Sequence, residues 1–355
     1  MRLVKTRAFH LEYLKTDDEA FDEANKMLFV SGEHGNKVAG FITIVSLNNY
    51  RPLKTILAHN DLIVKLKYIP SARLLISCSL DGLVKVWKPY SNFKLFKNFR
   101  HMGATLTFAY LPKSNLLMAG GEYEGIKFWG GIADGPQASS GPQRKLPPQI
   151  EHKVTCLEYL PNSDTITART NRTLRINKGN SGAWNWHIQT DKDIINHSVD
   201  QKKRLVYLGT KCRTVEVHLL GKKNESQRLA VYTMEFPLSR WCYLPSDGSI
   251  FLFSDRSVIR NAQYVEGSAE IITSKIEMRL DCHSLVELET EKLFIGASGS
   301  QNIIFLSKPE VCASHWIWKC TWTIHFKYYH ILTSYTVTSC NYTWLPTNFI
   351  FLIMW

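Results

Sequence analysis

The chain has 355 residues, 45% of them hydrophobic, 21% charged and 12% aromatic, with a formal net charge of +12 at pH 7. That composition supports a buried core and excludes an intrinsically disordered chain. No basic start followed by an apolar run reads as a signal peptide, and no stretch reaches the roughly 18 consecutive apolar residues of a membrane span, so a cytoplasmic protein is expected.

In chain order, Arg2 to Phe9 reads as an outer strand, and the acidic, polar stretch Asp17 to Asn25 as a solvated loop or short helix. From there a β-type unit recurs. Its clearest copy contains His59-Asn60-Asp61, then Leu74-Leu75-Ile76-Ser77-Cys78-Ser79-Leu80-Asp81-Gly82, then Val84-Lys85-Val86-Trp87. With Trp87 as anchor, equivalent positions fall at Val45, Trp87, Trp129, Asn177, His218, Asn261 and Leu306, so the spacings are 42, 42, 48, 41, 43 and 45. Leu74-Leu75-Ile76 matches Leu116-Leu117-Met118, Leu205-Val206-Tyr207 and Leu293-Phe294-Ile295. Short strands separated by polar turns at this interval predict radial blades of four strands, seven in number. Gly130 to Pro148, rich in Gly, Pro, Ser and Gln, reads as a mobile loop and accounts for the longest spacing.

Residues 1–306 are expected to form one domain, which grows by adding blades rather than by enlarging a single core. Arg2 to Phe9 would complete the seventh blade and remove an open sheet edge. Residues 307–355 match no blade. They contain no acid after Glu310 and are crowded with aromatics. A translated non-homologous end, a hydrophobic arm covered by a partner or the beginning of a further domain, and a zinc-binding segment built from Cys312, His315, Cys320, His325, His330 and Cys340 all remain open for this tail; the last lacks any closed Cys-x-x-Cys pair, and no metal is assigned.

The repeat resembles the WD40 family of β-propellers over roughly residues 1–306. The resemblance implies an all-β, seven-bladed fold and a buried relay of His59, Ser77, Asp81 and Trp87, which is structural in role. The third repeat keeps His101 and Trp129 but has Ala119 and Tyr123 at the other two positions; the fourth has His152, Thr167, Asn171 and Asn177. The phrase Lys67-Tyr68-Ile69-Pro70 followed by Ser77 to Asp81 is similar to repeats in some WD-repeat proteins of cilia and sperm flagella.

Cys156, Cys242 and Cys282 recur near one first-strand position, which predicts small buried thiols rather than a disulfide framework. On the repeat register, the turns between second and third strands carry Arg169, Arg172, Lys211, Arg213 and Arg256, which the resemblance places on one face as a basic arc. Such an arc attracts acidic peptides, phosphate or nucleic acid. The chain holds no phosphate-binding loop, zinc-protease helix or nucleophile elbow, so no catalytic residue and no cofactor are expected. The expected function is a non-catalytic scaffold that binds other proteins, acidic peptides among them, with a ciliary or flagellar complex as its setting. The alternative is an RNA-associated propeller of ribonucleoprotein assembly. Salt-sensitive RNA retention would separate the two.

Overall fold

The computed structural model describes residues 4–307 apart from 11–13, 35–36, 50, 124, 134–146, 148–149, 151–152, 180, 223, 239, 245–248, 254–257, 265–270, 278–285, 289–292 and 299–301. Most of the Gly130–Pro148 stretch and the tail beyond Ser307 therefore lie outside the described residues.

Among the described residues there is no α-helix, and the strands form seven antiparallel sheets. The amino-terminal strand β1 (Val4–His10) is followed by sheet 1, made of β2 (Leu14–Asp22), β3 (Met27–His34), β4 (Lys37–Ser46) and β5 (Arg51–His59). Sheet 2 holds β6 (Ile63–Ile69), β7 (Leu74–Ser79), β8 (Leu83–Lys88) and β9 (Lys94–Arg100). Sheet 3 holds β10 (Thr105–Leu111), β11 (Leu116–Gly121) and β12 (Ile126–Gly130). Sheet 4 contains β13 (Cys156–Leu160), β14 (Thr165–Arg169), β15 (Thr173–Lys178) and β16 (Trp186–Gln189). Sheet 5 contains β17 (Ile194–Asp200), β18 (Leu205–Thr210), β19 (Thr214–Leu220) and β20 (Ser226–Thr233). Sheet 6 is β21 (Arg240–Leu244), β22 (Ser249–Phe253), β23 (Val258–Tyr264) and β24 (Ile271–Glu277). In sheet 7, β25 (Val286–Leu288), β26 (Leu293–Ser298) and β27 (Asn302–Ser307) are joined by β1, which pairs with β27 from Val4↔Ser307 to His10↔Asn302.

The core is divided into layers between consecutive sheets. Leu75 of β7 packs with Phe29 and Ile42 of sheet 1, whereas its neighbour Ile76 packs with Phe108 and Leu117 of sheet 3. The same split recurs in β18, where Val206 and Leu208 face sheet 4 and Leu205 and Tyr207 face sheet 6. Successive residues of a strand point to opposite faces, so a sheet covered on both faces needs a run of apolar residues rather than alternation. That is why all six residues of β7 are buried.

Asp17 to Asn25 departs from the expected solvated loop or helix, because most of it belongs to β2. Its acids serve as acceptors for donors of the protein itself. Asp18 Oδ2 accepts from the Leu66 amide of sheet 2 at 2.7 Å, and Asp22 accepts from the Asn25 amide at 2.8 Å and from the Tyr90 hydroxyl. Glu19 and Asp22 are buried. Acidity identified these residues as polar, but only the neighbouring sheet shows that their partners are protein groups.

Gly121 at the end of β11 illustrates how closely the chain entering sheet 3 packs on that sheet. A Cβ there would lie 2.2 Å from the carbonyl oxygen of Ala104 and 3.3 Å from the His101 ring. Gly121→Ala is therefore expected to destabilise the protein by about 1–3 kcal/mol, as overpacking against backbone does. A urea midpoint equal to wild type would show that the Ala104 strand entry yields freely.

Candidate functional site

The turns between second and third strands lie beside the connections that enter and leave each sheet. In sheet 2 the His101 amide donates to Gly82 O at 2.9 Å, and the Leu80 amide to Leu62 O at 3.0 Å. In sheet 4 the Thr190 amide donates to Arg172 O at 2.9 Å and the Ile194 amide to Asn171 O at 2.6 Å. In sheet 5 the Lys211 amide reaches Asp193 O at 2.9 Å and the Met234 amide reaches Arg213 O at 2.7 Å. These bonds gather each sheet's turn and its flanking connections at one end.

Under that surface in sheet 2 runs a side-chain relay. Trp87 Nε1 donates to Ser77 Oγ at 2.9 Å, Ser77 Oγ lies 2.8 Å from His59 Nε2, and His59 Nδ1 lies 3.0 Å from Asp81 Oδ2. An indole can only donate, so the Ser77 oxygen accepts from it and its own proton goes to Nε2; His59 then carries its hydrogen on Nδ1 and gives it to Asp81. Burial pushes the His59 pKa down, further than the Asp81 hydrogen bond and charge raise it, so the ring is neutral at pH 7. Asp81 also accepts from the Asn60 amide at 3.1 Å and the Leu83 amide at 3.0 Å. Burial raises its carboxyl, but His59 and these two amides outweigh that and hold it below the ordinary value. The turn depends on Gly82, whose φ is +80° and where a Cβ would come within 2.8 Å of Gly103 O. With every member engaged inside the fold, the relay braces the turn and presents no free group to a substrate.

Elsewhere the same positions are used differently. His101 is buried and its ring nitrogens face the carbonyls of Met102 at 3.1 Å and Gly125 at 3.3 Å. Trp129 stacks on Phe99 with centroids 5.2 Å apart. Thr167 Oγ1 lies 2.8 Å from Nε2 of His197, on the next sheet, while Asn177 donates to Ser181 Oγ and Ala183 O. Ala119 is buried in the layer between sheets 2 and 3; His152 is outside the described residues.

Of the arc predicted from sequence, Arg172, Lys211 and Arg213 are exposed at the turn surface. Arg172 pairs with Asp193 at 3.2 Å, both well exposed, an ion pair of little energetic weight. The side chains of Lys211 and Arg213 have no ion-pair partner among the described residues. Arg169 does not join them. It is the last residue of β14, where its side chain turns inward and donates to Thr155 Oγ1 at 3.1 Å and to Ile195 O. Arg256 lies outside the described residues. Lys192, which the register of turns could not show because it sits on a connection between sheets, is exposed beside Asp193 and adds to the arc; Asp191 and Asp193 partly offset it.

Sequence reading also missed an apolar patch on this surface. Met102 and Tyr123 are 62% and 64% exposed, and the Tyr123 ring lies against Gly103. Next to it Lys153 pairs with Glu122 at 3.4 Å. Cys156, expected as a buried core thiol, is half-buried on the face of β13 directed at sheet 5; the Cys242 side chain and Cys282 lie outside the described residues. Cys156, Glu158 and His197 bring their donor atoms within 4.8 Å of one another. No helix among the described residues is long and apolar enough to cross a membrane.

Comparison with known proteins places one part of this architecture. The family model for the WD domain, G-beta repeat (WD40) matches residues 50–88, the stretch that runs from β5 through the relay of sheet 2, and this segment is a WD40 repeat. An 84-residue stretch is 33% identical to the ubiquitin homeostasis protein lub1 of Schizosaccharomyces pombe. The similarity covers 24% of this chain and 11% of that protein. WD40 repeats generally serve as non-catalytic surfaces for binding other proteins.

Proposed function

We propose that the seven sheets close into a seven-bladed propeller and that the protein is a non-catalytic scaffold assembling a multiprotein complex in the cytoplasm. Pairing of β1 with β27 supports the ring, because it ties the start of the chain to its last described sheet, and β26 of that sheet lies against β2 of sheet 1. The observation that carries the binding role is the turn surface of sheets 4 and 5. Its cations Arg172, Lys192, Lys211 and Arg213 outnumber the acids Asp191 and Asp193, and the exposed Met102–Tyr123 patch belongs to the turns and connections of neighbouring sheets 2 and 3. A partner segment with an apolar anchor and acidic residues would complement both. The similarity of the Lys67 to Asp81 phrase to ciliary and flagellar WD-repeat proteins favours a complex of that kind.

Charge reversal tests this reading. The triple variant Arg172→Glu, Lys211→Glu, Arg213→Glu is expected to lose an immobilised Glu-rich peptide that the wild type retains at low salt. Its stability should change by only about 0.5 kcal/mol per site, as is usual for exposed positions. The difference should shrink as salt rises, because the Debye length falls from about 10 Å at 0.1 M to about 3 Å at 1 M. Equal retention by both folded proteins would remove the arc from partner binding. Retention of single-stranded RNA in preference to the peptide, with a steep loss on adding salt, would favour ribonucleoprotein assembly instead.

A further inference from the structure

Cys156 and Glu158 occupy alternate positions on β13, so both side chains leave the same face of sheet 4, while Leu157 and Tyr159 point the other way into the layer against sheet 3. The face they share looks toward β17 of sheet 5, and His197 projects from it with 1% of its side chain exposed. Cys156 Sγ lies 3.7 Å from Glu158 Oε1, and His197 Nε2 lies 3.6 Å from Glu158 Oε2. Ligand atoms around a tetrahedral zinc ion, with bonds of about 2.0–2.3 Å, stand about 3.3–3.6 Å apart. Each of these two edges, which end on different oxygens of Glu158, is within a few tenths of an ångström of coordination spacing, and all three donors lie within 4.8 Å of one another, so a metal would replace the Cys156–Glu158 hydrogen bond and the His197–Glu158 pairing.

We propose that Cys156, Glu158 and His197 form a binding site for a thiophilic divalent cation of the zinc class at the junction of sheets 4 and 5. Thiolate, carboxylate and neutral imidazole suit zinc and its first-row neighbours, whereas magnesium and calcium take oxygen ligands. With one dication, one thiolate and one carboxylate the ligand set itself is electrically neutral. His197 Nε2, the nitrogen paired with Glu158, also meets Thr167 Oγ1 at 2.8 Å, so metal binding through it displaces that hydroxyl, while Nδ1 is buried with no hydrogen-bond partner among the described residues.

Three nearby cations, Lys65, Lys67 and Arg169, act electrostatically on Glu158. Lys65 Nζ donates to Phe108 O at 2.9 Å and Leu157 O at 2.7 Å, and Arg169 donates to Thr155 Oγ1 and Ile195 O, so both are fastened to protein oxygens. They also suit a fourth ligand that is water or an anion, the position three protein ligands leave open.

The test uses the full chain stripped with a chelator and titrated with Co²⁺. The wild type is expected to develop a thiolate-to-cobalt charge-transfer band that Zn²⁺ displaces and Mg²⁺ and Ca²⁺ do not. Cys156→Ser should abolish the band, and Glu158→Gln and His197→Gln should each weaken Co²⁺ binding by about tenfold or more, comparable with loss of an important metal-site contact. Cys212→Ser, at an exposed cysteine, should bind as the wild type does. Circular dichroism confirms that each variant is folded, and the two Gln variants carry the test should Cys156→Ser fail to fold. No band in the wild type, a band that survives in Cys156→Ser, unweakened binding by both Gln variants, or displacement by Mg²⁺ would each overturn the proposal.

Discussion

Trp87→Ala is expected to lower the stability of the protein by about 3–5 kcal/mol, the range for removing a large aromatic from a packed core. Trp87 is 6% exposed and lies in the layer between sheets 1 and 2 with Phe29, Tyr68, Leu75 and Phe93, whose ring centroid is 6.0 Å away. Its loss would open a cavity walled by two β-sheets, which cannot collapse easily because each is held by its own ladder. It would also remove the donor to Ser77 Oγ, leaving that buried oxygen one partner short. Trp87→Phe separates the contributions. It retains most of the packing and loses the donor, so its cost should be smaller, about 1–2 kcal/mol. Urea unfolding of the two variants checks the order. A midpoint for Trp87→Ala equal to wild type would remove this side chain from any structural role.

Asp81→Ala should cost about 3 kcal/mol, since a charged acceptor of three hydrogen bonds disappears and the His59 ring and the Asn60 and Leu83 amides lose their partner. It should also change how stability depends on pH. Both His59 and Asp81 have folded-state pKa values below their ordinary ones, so the unfolded chain binds protons more readily than the folded one. Their contributions are therefore present above the unfolded values and are lost as pH falls, below about 6.5 for His59 and below about 3.9 for Asp81. In Asp81→Ala the second, more acidic loss should vanish. In the same variant the upward pull of Asp81 on His59 is gone, so the decline that begins near pH 6.5 should extend to lower pH. Urea midpoints measured from pH 7.5 to pH 3 would show this, and parallel curves for wild type and variant would dissociate Asp81 from the relay.

The repeat was legible because the sheets are built alike. All seven anchors from Val45 to Leu306 fall on the third strand of their sheets, and Trp87, Trp129, Asn177, His218 and Leu306 pair across the ladder with Leu75, Leu117, Ile166, Val206 and Phe294. A strand buried on both faces writes a continuous apolar run into the sequence, and the tight turn after it writes Gly and Asp. The candidate relay was legible because its members lie within 29 residues, from His59 at the end of β5 in sheet 1 to Trp87 on β8 in sheet 2.

Polar residues between sheets were not legible in that way. The acids of β2 resemble a solvated loop until the Leu66 amide and the Tyr90 hydroxyl are seen against them. Arg169 sits one residue before a turn, and whether it points outward or inward depends on the Ile195 carbonyl of the next sheet. Cys156 and Glu158 are neighbours on one strand, but His197 is brought to them only by the packing of sheet 5 on sheet 4. The sequence by itself determined the number, spacing and internal register of the sheets, because those follow from strand periodicity and turn chemistry within about 45 residues. Only the tertiary structure decided which polar side chains meet, because those partners come from different sheets and local patterning carries no record of a contact made across a layer.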